Sequence, residues 1–408
     1  MALSMMQSRS IDRCLINNQP VVKILDLGQH PYADTFVRED QLHLSEPVFP
    51  LNVCMNADSG QIQLGHMSDA EDRYNLYSYS YTSSNSKFAR DHWDQYAQST
   101  IEKYQPNGLV IEIGSNDGYL VSKFRAQGLP TLGIDSSKYM CDIATEQGQP
   151  CLNAVFDLAV AQKVRQSHGS AKLILANNVF NHANDPVNFA RGVCSLLDDD
   201  GIFVFELPYW ADTVSSGRFD QIYHEHVSYF TVKSSWHLLA TAGMTMLDYN
   251  WVDYHGGSIR VVARRGTPNV MPEKIMQAIE QETAQGLFSI DRYQDMQKDM
   301  IQRRDTWLAE FYRIRQEPGA VIIGVGAAAK ANTWMNWHRL DHTALHCVTD
   351  SSPHKQGKYT PLSRIPVRGD EEFAKHKNPY ALILSWNISD GLKKALMNIN
   401  PNIRFISQ

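Results

Sequence analysis

"LVIEIGSNDGYLVSKF", residues 109 to 124, decides the fold. An aliphatic run breaks into Gly114, Asn116, Asp117 and Gly118 and then resumes with helical spacing. This reads as a strand, a glycine turn and a helix, the first unit of an open parallel sheet. Ligands of such sheets lie at the carboxyl ends of the strands, where strand order reverses, and a glycine turn there lets the backbone approach them. The alternative is a tight turn that merely joins strand to helix.

The turn, G-S-N-D-G, lacks the G-x-G-x-x-G spacing that seats a pyrophosphate on a helix N-terminus. Glu112 and Asp117 flank it, repelling phosphates and suiting a cationic amino-acid moiety. Asp135 ends the next strand, "TLGID", about 20 residues on, where a carboxylate accepts both hydroxyls of a ribose. A nucleoside without phosphates that carries a positive amino acid is S-adenosylmethionine. Asn177, where a later strand ends, is expected to touch its methionine or adenosine part.

Working outward, "PTLGID", "AKLILANNV" and "GIFVFELP" continue the strand pattern, separated by helical segments such as "SKYMCDIATEQG" and "PVNFARGVCSLL". Continuous apolar strands alternating with helices predict a parallel sheet covered on both faces. The expected fold class is α/β, with a central Rossmann-like domain over 107–268, a small β-rich module over 1–72 and a second Rossmann-like α/β domain over 318–408. A tyrosine-rich loop and linker helix (73–106) and a charged helical connector (269–317) join them.

A length of 408 residues exceeds one core and fits this division. The net charge of −6 leaves no basic excess, so nucleic acid and anionic membranes are not expected partners. No run reaches the roughly 20 apolar residues that span a bilayer, and the N-terminus shows no secretion signal, so a cytoplasmic location is expected. The six cysteines form no CxxC pair, which argues against a disulfide framework and a four-cysteine zinc cage. They read as small buried hydrophobes.

In order, "EIGSNDGYL", "GID", "ANNVFNH", "YHEHVSYF", "YHGGSIRV" and "GVGAAAKANT" resemble the S-adenosylmethionine-dependent sugar C-methyltransferases that act on nucleotide-linked 4-keto-deoxysugars, as in mycarose-type branched sugars. The resemblance covers nearly the whole chain. It implies an N-terminal zinc module, a methyltransferase domain and a Rossmann-like domain, with a nucleotide-diphosphate sugar held between the last two. It also implies methylation at the carbon next to the ketone, C3. The chemistry requires an enolate, hence a general base within reach of the α-proton.

"QIYHEHVSYFT" offers Tyr223, His224, Glu225, His226 and Tyr229. His-x-His around a carboxylate also suits a metal, but no third ligand of familiar spacing accompanies it. The match to the family implies that His226 is the base, with Glu225 and Tyr223 orienting it or the substrate, and that His182 lies close to the sugar. Tyr77, Tyr79 and Tyr81, in "YNLYSYSYTSS", are candidates for sugar contact and oxyanion stabilisation; packing beneath the loop is the alternative. His224, Gly257, Arg260, Lys330 and Asn332 are expected on the substrate side. Arg260 would pair with a diphosphate, unless "YHGGSIRV" is simply a hairpin. Gly324, Gly326 and Lys330 open a helix suited to an anion.

The pattern departs from the family in the N-terminal module, where Cys14 and Cys54 lack the partners that would make two cysteine pairs. Structural zinc wants four thiolate or imidazole ligands, so zinc is expected to be absent. Two competing readings stand. "GVGAAA" with Asp350 in "CVTD" fits an NAD-dependent oxidoreductase, and the lost cysteines allow a non-catalytic nucleotide-sugar-binding protein. O-methylation, which needs no enolate, is a further variant. A monomer or homodimer is expected.

Overall fold

The computed structural model describes residues 8–69, 73, 82–84, 86–267 and 270–406. The chain begins with strands β1 (Ser8–Ser10), β2 (Val22–His30), β3 (Phe49–Asn56), β4 (Gln61–Leu64) and β5 (His66–Ser68). β2, β3 and β4 form an antiparallel meander, and β1 pairs with β5. Helix α1 (Lys87–Tyr104) follows, its first turn capped by Ser86, whose hydroxyl accepts from the Ala89 amide.

The central region contains strands β6 (Val110–Ile113), β7 (Thr131–Asp135), β8 (Cys151–Asn153), β9 (Ala171–Asn177), β10 (Leu197–Pro208), β11 (Ser228–Tyr229), β12 (Met244–Val252) and β13 (Ser258–Arg265). Between them lie α2 (Tyr119–Arg125), α3 (Lys138–Glu146), α4 (Leu158–His168), α5 (Pro186–Leu196), α6 (Trp210–Ser216) and α7 (Val232–Thr241). The seven-stranded sheet has the order β12-β13-β10-β9-β6-β7-β8. Every residue of β6 is buried, because α4, α5 and α7 cover one face of the sheet and α1 and α2 the other. The chain steps outward from β6 to β8 and then returns to the other side of β6 at β9, which creates the switch point beside β6.

The sheet is not wholly parallel. β12 and β13 run antiparallel, since the five-residue link between them is too short for a crossover. A second departure concerns the cysteines: Cys141 on α3 and Cys151 on β8 are disulfide-bonded, neighbours in space although no CxxC motif marks them.

α8 (Glu273–Ala284) and α9 (Ile290–Arg315) lead to the final unit: β14 (Ile322–Val325), α10 (Ala329–Trp337), β15 (Cys347–Thr349), β16 (Val367–Arg368), β17 (Tyr380–Ile383), α11 (Ser389–Ile399) and β18 (Arg404–Ile406). Its sheet is all parallel, in the order β16-β15-β14-β17-β18, with a second switch point between β14 and β17. One apolar cluster runs through Leu25 and Leu51 of the meander, Trp210 of α6, Tyr293 of α9 and Trp334 and Leu382 of the last unit. The terminal units therefore share a core. Among the described residues no helix is long and apolar enough to cross a membrane.

Candidate active site

The glycine turn lies at the first switch point. Gly114 and Gly118 have φ of +72° and +78°, and Asn116 lies at +51°, a left-handed conformation that asparagine tolerates. A Cβ on Gly114 would stand 2.7 Å from Val179, so this glycine serves packing as well as turning. Asp135 holds the turn: its carboxylate accepts from the Asn116 amide at 2.8 Å and the Ser137 amide at 2.8 Å. Each oxygen keeps a further lone pair. Glu112, beneath, accepts from the Val121 amide at 3.0 Å.

Burial raises the pKa of Glu112 and Asp135, and Asp117 pushes both further up. Three carboxylates thus crowd one turn, with no cationic side chain among the main influences on Glu112 and Asp135, and such a site fits a ligand that carries positive charge. Asp117 is less open than expected. Its oxygens accept from the Ser83 hydroxyl at 2.6 Å and the Ser84 amide at 3.2 Å, so it fastens the preceding loop over the turn. The half-buried Asn177 ends β9, and both polar atoms of its amide are without a hydrogen-bond partner among the described residues.

The second group is built by the segment after α6. His226 Nδ1 lies 3.2 Å from the Gln221 carbonyl, which can only accept, so Nδ1 carries the proton. Nε2 is then the basic nitrogen and accepts from the Tyr223 hydroxyl at 2.7 Å. Burial, with help from Arg73, lowers the His226 pKa to about 3, so the ring is neutral. The His182 ring lies edge-on to His226, with centroids 4.9 Å apart, and burial holds it neutral as well. Glu225 accepts from the Asp34 amide at 3.3 Å, and burial together with the Asp34 charge raises its pKa to about 7. Glu225 Oε2 and Asn181 Oδ1 are buried without a hydrogen-bond partner among the described residues.

A separate cationic cluster surrounds Trp386 of the last unit. Lys330 Nζ lies 4.5 Å from the Trp386 ring centre and donates to Asn387 Oδ1, and the Arg218 guanidinium stacks on the same indole at 3.6 Å. Burial lowers the Lys330 pKa to about 8. Arg218, Asp253, His255, Gly256, Trp386 and Asn387 line the cleft there. Arg218, Trp386 and Arg73 were absent from the sequence reading. Trp386 had a usable signal, since it follows β17 at the second switch point; Arg218 and Arg73 stand in no motif.

Several expected substrate contacts are engaged elsewhere. Arg260 forks onto Glu206, with Nη2 at 2.6 Å and Nε at 2.8 Å, and Glu206 is fully buried beside His92. Gly257 belongs to the β12–β13 hairpin turn, where a Cβ would stand 2.0 Å from Asp212, so its openness admits protein rather than ligand. His224 turns away from the cleft, towards the Pro50 carbonyl at 3.2 Å and the rings of Tyr32 and Phe49. Asn332 is fully buried and donates to the Ala33 carbonyl at 2.6 Å, tying the last unit to the first. Gly326 packs on Ser385, where a Cβ would stand 2.0 Å from its hydroxyl. Tyr77, Tyr79 and Tyr81 lie outside the described residues.

Comparison with known proteins assigns these parts to a class. Residues 87–249 match the family model described as a methyltransferase domain, residues 253–407 that of the C-methyltransferase C-terminal domain, and residues 14–74 that of a putative zinc binding domain. These matches support an S-adenosylmethionine-dependent methyltransferase, and the chain is similar, module by module, to the C-methyltransferases. It is 29% identical over 399 residues to the C-methyltransferase NovU of Streptomyces niveus, covering 96% of this chain and 94% of that one. Solved structures with detectable likeness include an S-adenosylmethionine-dependent methyltransferase from Clostridium acetobutylicum (14% identity, TM-score 0.35, 45% of this chain and 93% of that one). Another is the PH0226 protein of Pyrococcus horikoshii (16% identity, TM-score 0.38, 45% and 94%).

Methyltransferase chemistry, rather than hydride transfer, is thus what the chain is built for. The match over 14–74 bears on zinc, and the residues there fit a four-ligand site poorly. Cys14 is hydrogen-bonded to Ser59, and burial pushes the Cys54 thiol up to about 11, away from the thiolate a metal requires.

Proposed function

We propose that this chain methylates the carbon next to the ketone, C3, of a nucleotide-linked 4-keto-deoxysugar. The observation that carries the reading is the neutral His226, whose Nδ1–H is tied to a backbone carbonyl and whose Nε2 is directed to Tyr223 inside a water-poor cluster. When bound, S-adenosylmethionine supplies an electrophilic methyl group; the protein must supply a carbon nucleophile. Once the Tyr223 hydroxyl turns from His226 Nε2 to the ketone oxygen, the freed Nε2 takes the α-proton, and the electron pair moves onto that oxygen as an enolate. The Tyr223 hydroxyl and the neutral His182 ring are the nearby groups suited to the developing oxyanion. Glu112, Asp117, Asp135 and Asn177 hold the cofactor. Lys330 and Arg218 give the diphosphate its charge partners, with Trp386 between them as a platform.

The test is His226→Asn, assayed with a panel of 4-keto nucleotide-sugars. Methyl transfer and exchange of the α-proton with deuterated solvent are both expected to vanish while S-adenosylmethionine binding persists. Retained exchange would assign the base elsewhere, and absence of wild-type turnover across the panel would overturn the substrate class.

A further inference from the structure

In the module matched as zinc-binding, two turns face each other: 14–17, ahead of β2, and 56–59, between β3 and β4. Cys14 and Asn17 in one, and Asn56 and Ser59 in the other, are separated by two residues, the spacing at which paired ligands of structural zinc stand. One thiol, two carboxamides and a hydroxyl make a weak donor set for zinc, which prefers thiolate and imidazole. The four side chains are instead bonded to one another. Ser59 Oγ donates to Asn56 Oδ1 at 2.9 Å, which leaves it an acceptor for Cys14 Sγ at 3.3 Å.

Asn56 Oδ1 is the hub. It also accepts from the Ser59 amide at 3.0 Å and from Asn17 Nδ2 at 3.1 Å, while Asn56 Nδ2 donates to the Pro20 carbonyl at 3.0 Å. Backbone amides wrap the same side chains: Ile16 N points to Cys14 Sγ at 3.4 Å, Gln19 N to Asn17 Oδ1 at 3.1 Å and Gln61 N to Ser59 Oγ at 3.3 Å. Cys14, Asn56 and Ser59 are buried, so this network is shielded from competing water.

We propose that Cys14, Asn17, Asn56 and Ser59 form a metal-free replacement for a four-ligand zinc site, in which the Asn56 side-chain oxygen joins the two turns as an ion would. The consequence reaches the active site. β4 leaves Ser59 and pairs with β11, where Gln61 Nε2 donates to Ser228 Oγ at 2.9 Å, two residues from His226. The strand beside the base is braced by hydrogen bonds that chelators cannot remove.

Elemental analysis of the full-length protein, desalted after incubation with zinc, is expected to show no stoichiometric metal, and its melting temperature is expected to be the same with and without chelator. Asn56→Ala is expected to lower that temperature by a few degrees, about 2–4 °C per kcal/mol lost. The N17C/N56C/S59C variant, refolded with cobalt, is expected to take up one equivalent with the intense absorption of tetrahedral thiolate coordination. One equivalent of zinc in the wild type, lost in Cys14→Ser, would overturn the proposal, as would unchanged melting of Asn56→Ala. A folded triple variant that takes up no metal would also overturn it; where the triple variant does not fold, the wild-type and Asn56→Ala arms decide.

Discussion

Arg260 shows what a residue's neighbours do to its meaning. In sequence it stands in "GGSIRV" and looks free to grip a phosphate. In the sheet it lies directly opposite Glu206 across the β10–β13 pair, 54 positions away, and no local pattern announces that register. Tyr96 adds its ring 4.0 Å from the guanidinium carbon. Breaking a buried pair by removing one partner typically costs about 3–5 kcal/mol, because the other charge is stranded. Arg260→Leu is therefore expected to lower the melting temperature markedly, and Arg260→Leu with Glu206→Leu to recover part of the loss, as thermal unfolding would read. A raised KM for the nucleotide-sugar at unchanged melting temperature would instead return Arg260 to the substrate. Asp135 is the opposite case: strand end and turn are close in sequence, so its place beside the turn is legible, while the structure adds that its carboxylate accepts from the Asn116 amide.

At the scale of elements, the glycine turn and the "YHEH" segment were readable because each packs its chemistry into a few consecutive residues. What they could not reveal was which side chains face the cleft. His224, Glu225 and His226 are adjacent, yet His224 packs on the meander whereas His226 meets Tyr223 and His182. Glu225 reaches back to Asp34 of the first unit, a contact 191 positions distant. Its pKa is raised to about 7 by burial and by Asp34, so the folded state holds its proton more tightly than the unfolded chain does. Stability from this group is complete below the unfolded value near 4.5 and is lost as pH rises to about 7, by up to about 3 kcal/mol. Glu225→Gln removes that dependence. The variant is expected to gain melting temperature relative to the wild type between pH 5 and pH 8, with little difference at the acid end; a gap that stays constant with pH would refute the shift.

For the whole molecule, the two Rossmann-like units repeat one device. An acid at the end of the second strand, Asp135 as its last residue in one and Asp350 just after it in the other, accepts at 2.8 Å from the amide of the preceding glycine turn, Asn116 or Ala327, and at 2.8 Å from an amide two residues on. That repetition explains why "GVGAAA" with Asp350 reads so readily as a nucleotide site from sequence alone. It also gives the last unit a firm turn from which to act on the first. Lys355 Nζ donates to the Ala327 carbonyl at 2.8 Å and lies 3.4 Å from Asp34, whose amide holds Glu225. The C-terminal switch point is thereby linked, through one lysine and the turn after β2, to the segment carrying His226. Lysine also keeps the Asp34 pKa from rising further with burial. Lys355→Met severs the bridge without touching the turn around Gly114. It is expected to lower kcat by about tenfold, equivalent to about 1.4 kcal/mol in the barrier, while calorimetric affinity for S-adenosylmethionine stays at the wild-type value. Equal losses in kcat and in cofactor affinity would mean that the lysine supports the fold as a whole rather than this line of contacts.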